Sequence, residues 1–331
     1  MQLISFGKTK LQVSRIGLGL AALGRPGYIN LGHAEDLNQI YDIAAMKTRA
    51  HSILDVAYEN GVRYFDAARS YGRAEEFLGS WLRSREISPE SIVLGSKWGY
   101  TYTAGWKIQA DVQEVKEHSL PNLQKQWAES KANLGEHLDL YQIHSATVDS
   151  RVIEKKEVLA KLAEMKSKGL AIGLSVSGQN QRAVIELAIA TEIDGVRLFD
   201  SVQATWNLLE RSADTALAMA HKVGMGVIIK EALANGRLTD RNTSPDFSEK
   251  RTILQNEATR LKTTIDALAL AAGLAQPWAD IVLSGAATEE HLLSNLGALE
   301  IGWDAMAEEY LGVLVEPTRE YWQRRSNLKW N

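Results

Sequence analysis

Short apolar runs rich in β-formers alternate with amphipathic helical stretches along the whole 331-residue chain, and this alternation restricts the fold more than any other feature. Parallel strands joined by helical crossovers satisfy it, because a strand covered on both faces is apolar throughout while its crossover helix is apolar along one stripe. Strands are expected at Val13–Gly17, Arg63–Asp66, Ile92–Ser96, Leu138–Ile143, Ala171–Ser175, Val202–Ala204, Gly226–Ile229 and Ile281–Ser284. Helices are expected between them, among them Met46–Asn60, Ala74–Ser84, Glu154–Lys168, Gln181–Thr191, Ala213–Val223 and Glu289–Ala298. Asn60-Gly61 supplies a left-handed stop to the first of these helices. With no linker and no shift in composition, the pattern predicts one closed α/β domain over residues 1–331, a (β/α)8 TIM barrel. Arg25–Asp42, Tyr100–Leu120 and Leu233–Thr252 read as loops on that barrel. The aromatic segment Glu308–Asn331, with Tyr310, Tyr321, Trp322 and Trp330, is expected near the barrel mouth.

Composition narrows the partners. Hydrophobic residues make up 45% and charged residues 24% of the chain, so a substantial core can form. A net charge of −4 without a Lys/Arg run argues against a nucleic-acid partner and for a small molecule. The absence of cysteine excludes disulfides, thiolate metal sites and thiol nucleophiles together. No run of apolar residues is long enough for a membrane span, and Met1–Lys10 has no signal-peptide pattern, so a cytoplasmic location is expected. Oligomeric state is not legible.

Reactive side chains of such a barrel lie where strands end at the C-terminal face. The polar residues there are Asp66, Lys97, His144, Ser175, Gln203, Lys230 and Ser284. Tyr71 follows Asp66 by five residues, in a Ser70-Tyr71-Gly72 turn that can aim a phenol at the mouth. A phenol serves as an acid or base near neutrality only if a cation stabilises its anion, and Lys97 is the candidate cation, with Asp66 as its counter-ion. His144 adds a group that can orient a substrate oxygen. The set contains no triad and no metal-ligand pair at helical spacing. Proton transfer to a developing alkoxide, as in carbonyl reduction, suits it best. Schiff-base chemistry on Lys97 is the rival reading of the same residues.

The segment Gly61-Val-Arg-Tyr-Phe-Asp66-Ala-Ala-Arg-Ser-Tyr71-Gly-Arg-Ala-Glu-Glu-Phe-Leu-Gly79 resembles the first signature of the aldo-keto reductases. Gly95-Ser-Lys97-Trp-Gly99 and Leu140-Tyr-Gln-Ile-His144 resemble the next two, in the same order and spacing. The resemblance runs from Phe6-Gly7-Lys8-Thr9 and Val13-Ser-Arg-Ile-Gly-Leu-Gly19 to Ser284-Gly-Ala-Ala-Thr288 and Asn295-Leu-Gly297. It implies Tyr71 as general acid or base, Lys97 as the group that lowers its pKa, Asp66 as partner of Lys97 and His144 as the residue that positions the carbonyl. It also implies NADP(H) or NAD(H) as cofactor and an aldehyde or ketone, among them sugars, as substrate.

By the same resemblance, Ser175 and Gln203 hold the nicotinamide carboxamide, and Gly19 leaves backbone room beneath the ring. Leu233, Gly236 and Arg237 belong to a pyrophosphate-covering loop. Ser284, Gly285, His291 and Asn295 form the adenosine end. Ala21, Trp98 and Trp206 are expected to line the substrate pocket. Val176 stands where an Asn is usual, and Lys230 where an aromatic ring commonly stacks on the nicotinamide. Gly285 and His291, beside Glu289 and Glu290, replace the cations of NADP-preferring members, which keeps NAD(H) open. No Gly-x-Gly-x-x-Gly turn links a strand to a helix, so a Rossmann site is not expected. The alternative function is a cofactor-sensing regulatory protein on the same barrel, as in the potassium-channel β-subunit relatives.

Overall fold

The computed structural model describes residues 1–331. Eight parallel strands close into a barrel: β1 (Ile16–Gly19), β2 (Tyr64–Asp66), β3 (Val93–Trp98), β4 (Leu138–Ala146), β5 (Ala171–Val176), β6 (Ser201–Thr205), β7 (Gly226–Lys230) and β8 (Ile281–Ser284). Each strand pairs with the next in sequence, and β8 returns to β1 with Val282 opposite Ile16. The chain therefore folds as the predicted (β/α)8 barrel.

Crossover helices include α1 (Ile43–Glu59), α2 (Ala74–Ser84), α3 (Leu120–Leu134), α4 (Lys156–Ser167), α5 (Gln181–Ala190), α6 (Asp214–Lys222), α7 (Ile265–Leu274) and α8 (Glu289–Leu296). Asp42 caps α1 by accepting from the amides of Ala44 and Ala45, and Thr288 caps α8 by accepting from that of His291. Glu75 begins α2, but it does more than complement the helix dipole. Its buried carboxylate accepts from Ser96 on β3, from Ser130 and Asn133 on α3, and from Arg69, tying these elements together.

Most boundaries move by one to three residues, and the first strand differs in kind. Val13 belongs to an antiparallel hairpin, Leu3–Ser5 with Gln12–Ser14, and the barrel strand starts only at Ile16. Burial does not distinguish the two, because both Val13 and Ile16 are buried. The chain turns between them, where Ser14 Oγ donates to Ile16 O and accepts from the Arg63 amide.

The hairpin carries Phe6 into the bottom of the barrel. There it packs with Val13, Tyr64, Val93, Leu140, Ile228, Ile281 and Leu283, and burial of such a ring stabilises by roughly 1.5–3 kcal/mol. Gly226 makes the plug fit, since a Cβ there would lie 2.4 Å from the Phe6 ring. The larger apolar set lies between the barrel and its helices. No helix is long and apolar enough to cross a membrane.

The long loops are more ordered than their composition suggests. Tyr100–Tyr102 pairs with Glu114–Lys116 as a small hairpin at the mouth. Residues 28–34 are pinned by Asn331, whose amide and carbonyl pair with Tyr28 and whose side chain accepts from the amides of His33 and Ala34.

Candidate active site

Gly17 and Gly95 leave room in the barrel for the Tyr64 ring, whose atoms would lie 2.7 and 2.6 Å from a Cβ at those positions. That ring points its hydroxyl at Asp66 Oδ1, 3.2 Å away, and the amides of Gln203 and Gln142 donate to the same oxygen at 2.9 and 3.3 Å. Asp66 Oδ2 takes the Lys97 ammonium in a fully buried ion pair. Lys97 also donates to Ala67 O at 3.0 Å and reaches Tyr71 Oη at 3.4 Å. Buried charges persist when every lone pair and proton finds a partner, and here they do.

Tyr71 faces His144 edge to face, with ring centroids 5.5 Å apart. Ser70 Oγ lies 3.3 Å from His144 Nδ1 and Tyr100 covers the imidazole at 5.0 Å. Burial, reinforced by Lys97, Lys230 and Arg25, pushes the His144 pKa well below its ordinary value, so the ring is neutral. Burial and the Asp66 carboxylate push the Tyr71 phenol upward, while Arg25 acts in the opposite sense. This departs from the expectation that Lys97 lowers the pKa of the phenol. Burial and Asp66 dominate, and the Tyr71 phenol rests protonated.

A cleft of about 420 Å³ opens above this cluster. Gly19, Ala21, Asp66, Tyr71, His144, Gln203, Lys230, Leu233, Ser284 and Gly285 line it, as the sequence expects. Ser175 lies buried behind the wall, where its Oγ accepts from the Ser145 amide at 2.9 Å. Asn295 is also buried and donates to Ser284 Oγ at 2.8 Å. Gly236, at φ 86, stands beside Leu31 on the loop after β7.

Three expected residues lie elsewhere. Trp98 is wholly buried, packed edge-on against His118, and does not line the cleft. Trp206 is buried against Trp278, with its indole N–H on Asp214 and Arg211 above the ring. Both follow their strands closely, but each ring turns into packed surroundings, which sequence position alone does not reveal. Arg237 is held bidentately by Glu316 at 2.6 and 3.0 Å and stacks on Phe247 and Tyr321, so it is an anchor of the C-terminal segment rather than a free phosphate ligand. Lys230 brings an ammonium rather than a ring surface. It donates to Thr205 Oγ1 at 2.7 Å and Ser177 Oγ at 3.2 Å.

The sequence reading missed several residues of the mouth. Arg25 is buried, donates to Ser70 O and Glu114, and lies over the rings of Tyr71 and Trp330. Arg325 clamps Glu231 bidentately from the C-terminal helix Thr318–Ser326. Neither sits at a strand end, so only the folded chain brings them to the mouth. Of the C-terminal aromatics, Trp330 lines the cleft, while Tyr321 is buried and accepts a bond from Asn207. At the other end, Arg241 approaches His291 Nε2 at 3.1 Å and pairs with the buried Asp36. A cation thus stands where the local sequence around His291 shows only glutamates.

The cleft and the residues behind its wall offer polar partners to a ligand. The Oδ1 atoms of Asn295 and Asn235 are buried without a donor, and buried acceptors are seldom left so in a complete complex. Gly285 is exposed, with no atom within 4 Å of a Cβ placed there. Such features suit a nicotinamide dinucleotide.

The barrel and its mouth thus define an enzyme-type scaffold, with an acid–base cluster beneath a cofactor-sized cleft. The sequence profile of the Aldo/keto reductase family matches residues 15–310, and the chain belongs to that family. It is 28% identical to a Schizosaccharomyces pombe protein whose name assigns it to the aryl-alcohol dehydrogenases, over 94% of each chain. It is 24% identical to the oxidoreductase YqkF of Bacillus subtilis, over 95% of each. The aldo-keto reductase AKR11C1 of Bacillus halodurans, solved in a holo form, superposes with a TM-score of 0.74 at 22% identity, covering 96% of this chain and 97% of that one.

Proposed function

We propose that this protein interconverts an aldehyde or ketone and its alcohol with NAD(P)(H), using Tyr71 as the general acid or base. The observation that carries this reading is the buried Asp66–Lys97 pair directly beneath Tyr71, with neutral His144 across the same cleft. When bound, a nicotinamide dinucleotide supplies or takes up the hydride.

In reduction, Tyr71 gives its phenolic proton to the substrate oxygen as negative charge develops there. The phenolate left behind lies 3.4 Å from the Lys97 ammonium, which stabilises it. Asp66 holds Lys97 in place and in its charged form, and is itself held by Tyr64, Gln142 and Gln203. His144 stays neutral and can donate a hydrogen bond that orients the substrate carbonyl without competing as an acid. In alcohol oxidation the same proton returns to Tyr71.

Gly19, Gln203, Leu233, Gly236, Ser284, Gly285, His291 and Asn295 would hold the dinucleotide, with Ser175 supporting the wall through the Ser145 amide and the unpartnered Asn295 Oδ1 available to an adenine amino group. Asp36 neutralises Arg241 beside His291, at the proposed ribose end, and both dinucleotides are admissible. Purified protein mixed with NADPH or NADH and a panel of aliphatic, aromatic and sugar aldehydes should lose absorbance at the nicotinamide band. Absence of turnover with the entire panel, in both directions, would overturn the proposal.

A further inference from the structure

Arg25 stands outside every strand end, yet its loop is packed against the turn that carries Tyr71. Gly24 O accepts from the Arg73 amide at 2.7 Å. A Cβ at Gly24 would strike Tyr71 O, and one at Gly72, φ 59, would lie 2.9 Å from Arg25 Cβ, so the two segments touch only because both positions are glycine. This contact brings the guanidinium among three rings. Its Cζ lies 5.4 Å from the Tyr71 centroid, 5.4 Å from that of Tyr28 and 4.7 Å from that of Trp330. Nη1 donates to Ser70 O, the carbonyl before Tyr71, at 3.0 Å and to Glu114 Oε2 at 3.1 Å.

Glu114 cancels this charge only in part. A single nitrogen meets it, and its side chain is 26% exposed against 4% for Arg25, so water screens the carboxylate more than the guanidinium. Nε is buried with no acceptor at all. The cation therefore faces aromatic surface in a dry setting, where its attraction to a ring is strongest.

The other groups that bear on Tyr71 come from several elements. Lys97 reaches the phenol oxygen and is paired with Asp66. His144 is neutral, burial keeps the Tyr28 phenol protonated, and Glu231 is shared by Arg325 and Lys230. Burial and Asp66 raise the Tyr71 pKa, Arg25 lowers it, and Glu114 and Glu231 raise it again.

We propose that Arg25 is a positioning residue for the reaction, acting through the Tyr71 ring to stabilise the phenolate that proton donation leaves behind. The proton passes from Oη to the substrate oxygen, and the electron pair left on Oη spreads into the ring, which the guanidinium attracts more strongly than it attracts the neutral phenol. Lys97 acts at the oxygen and Arg25 on the ring. The inference rests on the reductase reading, but the coupling of Arg25 to the phenol is measurable without turnover.

The test places trifluorotyrosine, whose phenol is intrinsically more acidic, at position 71 and follows its ionisation by fluorine NMR as pH is raised. Arg25→Met should raise the midpoint by about one pH unit, Arg25→Lys should restore most of the difference, and Glu114→Gln should lower it. Arg25→Gln, which keeps a donor for Ser70 O, takes the place of Arg25→Met if that variant does not fold, with the same expected rise. With the natural tyrosine, kcat for reduction should fall about threefold to tenfold in Arg25→Met and should not fall in Glu114→Gln. Opposite shifts distinguish an electrostatic role from a mechanical one, because either variant breaks the same link between the two loops. Shifts of the same sign in Arg25→Met and Glu114→Gln, or no shift in Arg25→Met, overturn the proposal and leave the pair as a strap. If the midpoints move in opposite directions while no carbonyl compound is turned over, the reductase reading fails and the coupling of Arg25 to Tyr71 stands.

Discussion

Asp66 and Lys97, on adjacent strands β2 and β3, meet in a buried ion pair whose lysine end lies beneath the Tyr71 hydroxyl. The two partners are not equally protected. Asp66 has three further donors, from Tyr64, Gln142 and Gln203, whereas Lys97 has only Ala67 O and Tyr71 besides its carboxylate.

This asymmetry predicts unequal mutants. Asp66→Asn leaves the ammonium without a counter-charge and should cost about 3–5 kcal/mol of stability in urea unfolding. Lys97→Met leaves a carboxylate that keeps its hydrogen bonds, and should cost less. Both should lose most reductase activity. Equal destabilisation by the two would contradict the assigned network.

Tyr71→Phe should reduce kcat by roughly 10²–10⁴ while leaving cofactor affinity, followed by NADPH fluorescence, nearly unchanged. The variant removes the proposed proton donor and retains the ring that packs against His144. Full activity in this variant would refute the proposed mechanism.

The pH profile follows from the two shifted groups. His144 has its pKa depressed, so it remains neutral as pH falls through the ordinary histidine value of 6.5. Tyr71 has its pKa raised, so it remains protonated as pH rises toward 10.0. Reduction of an uncharged aldehyde should therefore be nearly flat between about pH 6 and 9. A midpoint near 6.5 that disappears in His144→Gln would show that the imidazole titrates after all.

Glu231 links the seventh strand to the C-terminal helix. Burial raises its pKa, but Arg325 and Lys230 outweigh this and hold it at about 2, below its ordinary 4.5. The pair's contribution should be complete above about pH 4.5 and disappear as pH falls toward 2. Arg325→Leu should lower the denaturation midpoint at pH 7 and remove this acid-range loss. Arg151→Leu, in an exposed pair with Glu154, should leave the midpoint almost unchanged.

Asp36 and Arg241 pair beside His291, at the proposed adenosine end of the site. Asp36→Asn frees the guanidinium and should shift the NADPH-to-NADH affinity ratio toward NADPH by about five- to tenfold in fluorescence titrations. A shift toward NADH would show that this pair does not face the ribose.

Much of the site was legible before folding. The order of strand-end residues named Asp66, Lys97 and His144, and the Ser70-Tyr71-Gly72 turn named the phenol, because a parallel barrel sends every strand end to one face. Trp98 and Trp206 misled for the same reason, since proximity to a strand end says nothing about which way a large ring turns. Arg237 resembled a phosphate ligand until Glu316, 79 residues later, occupied its guanidinium.

The sequence by itself determined the barrel and nominated its acid–base candidates, because alternating strand and helix periods and short motif spacings are local properties of the chain. Tertiary structure alone decided that the Tyr71 phenol rests protonated, that Arg25 and Arg325 line the mouth, that Arg241 reaches His291, and that Lys230 and Arg325 share Glu231. These depend on burial and on partners distant in the chain, which desolvate and pair charges in ways that no local pattern records.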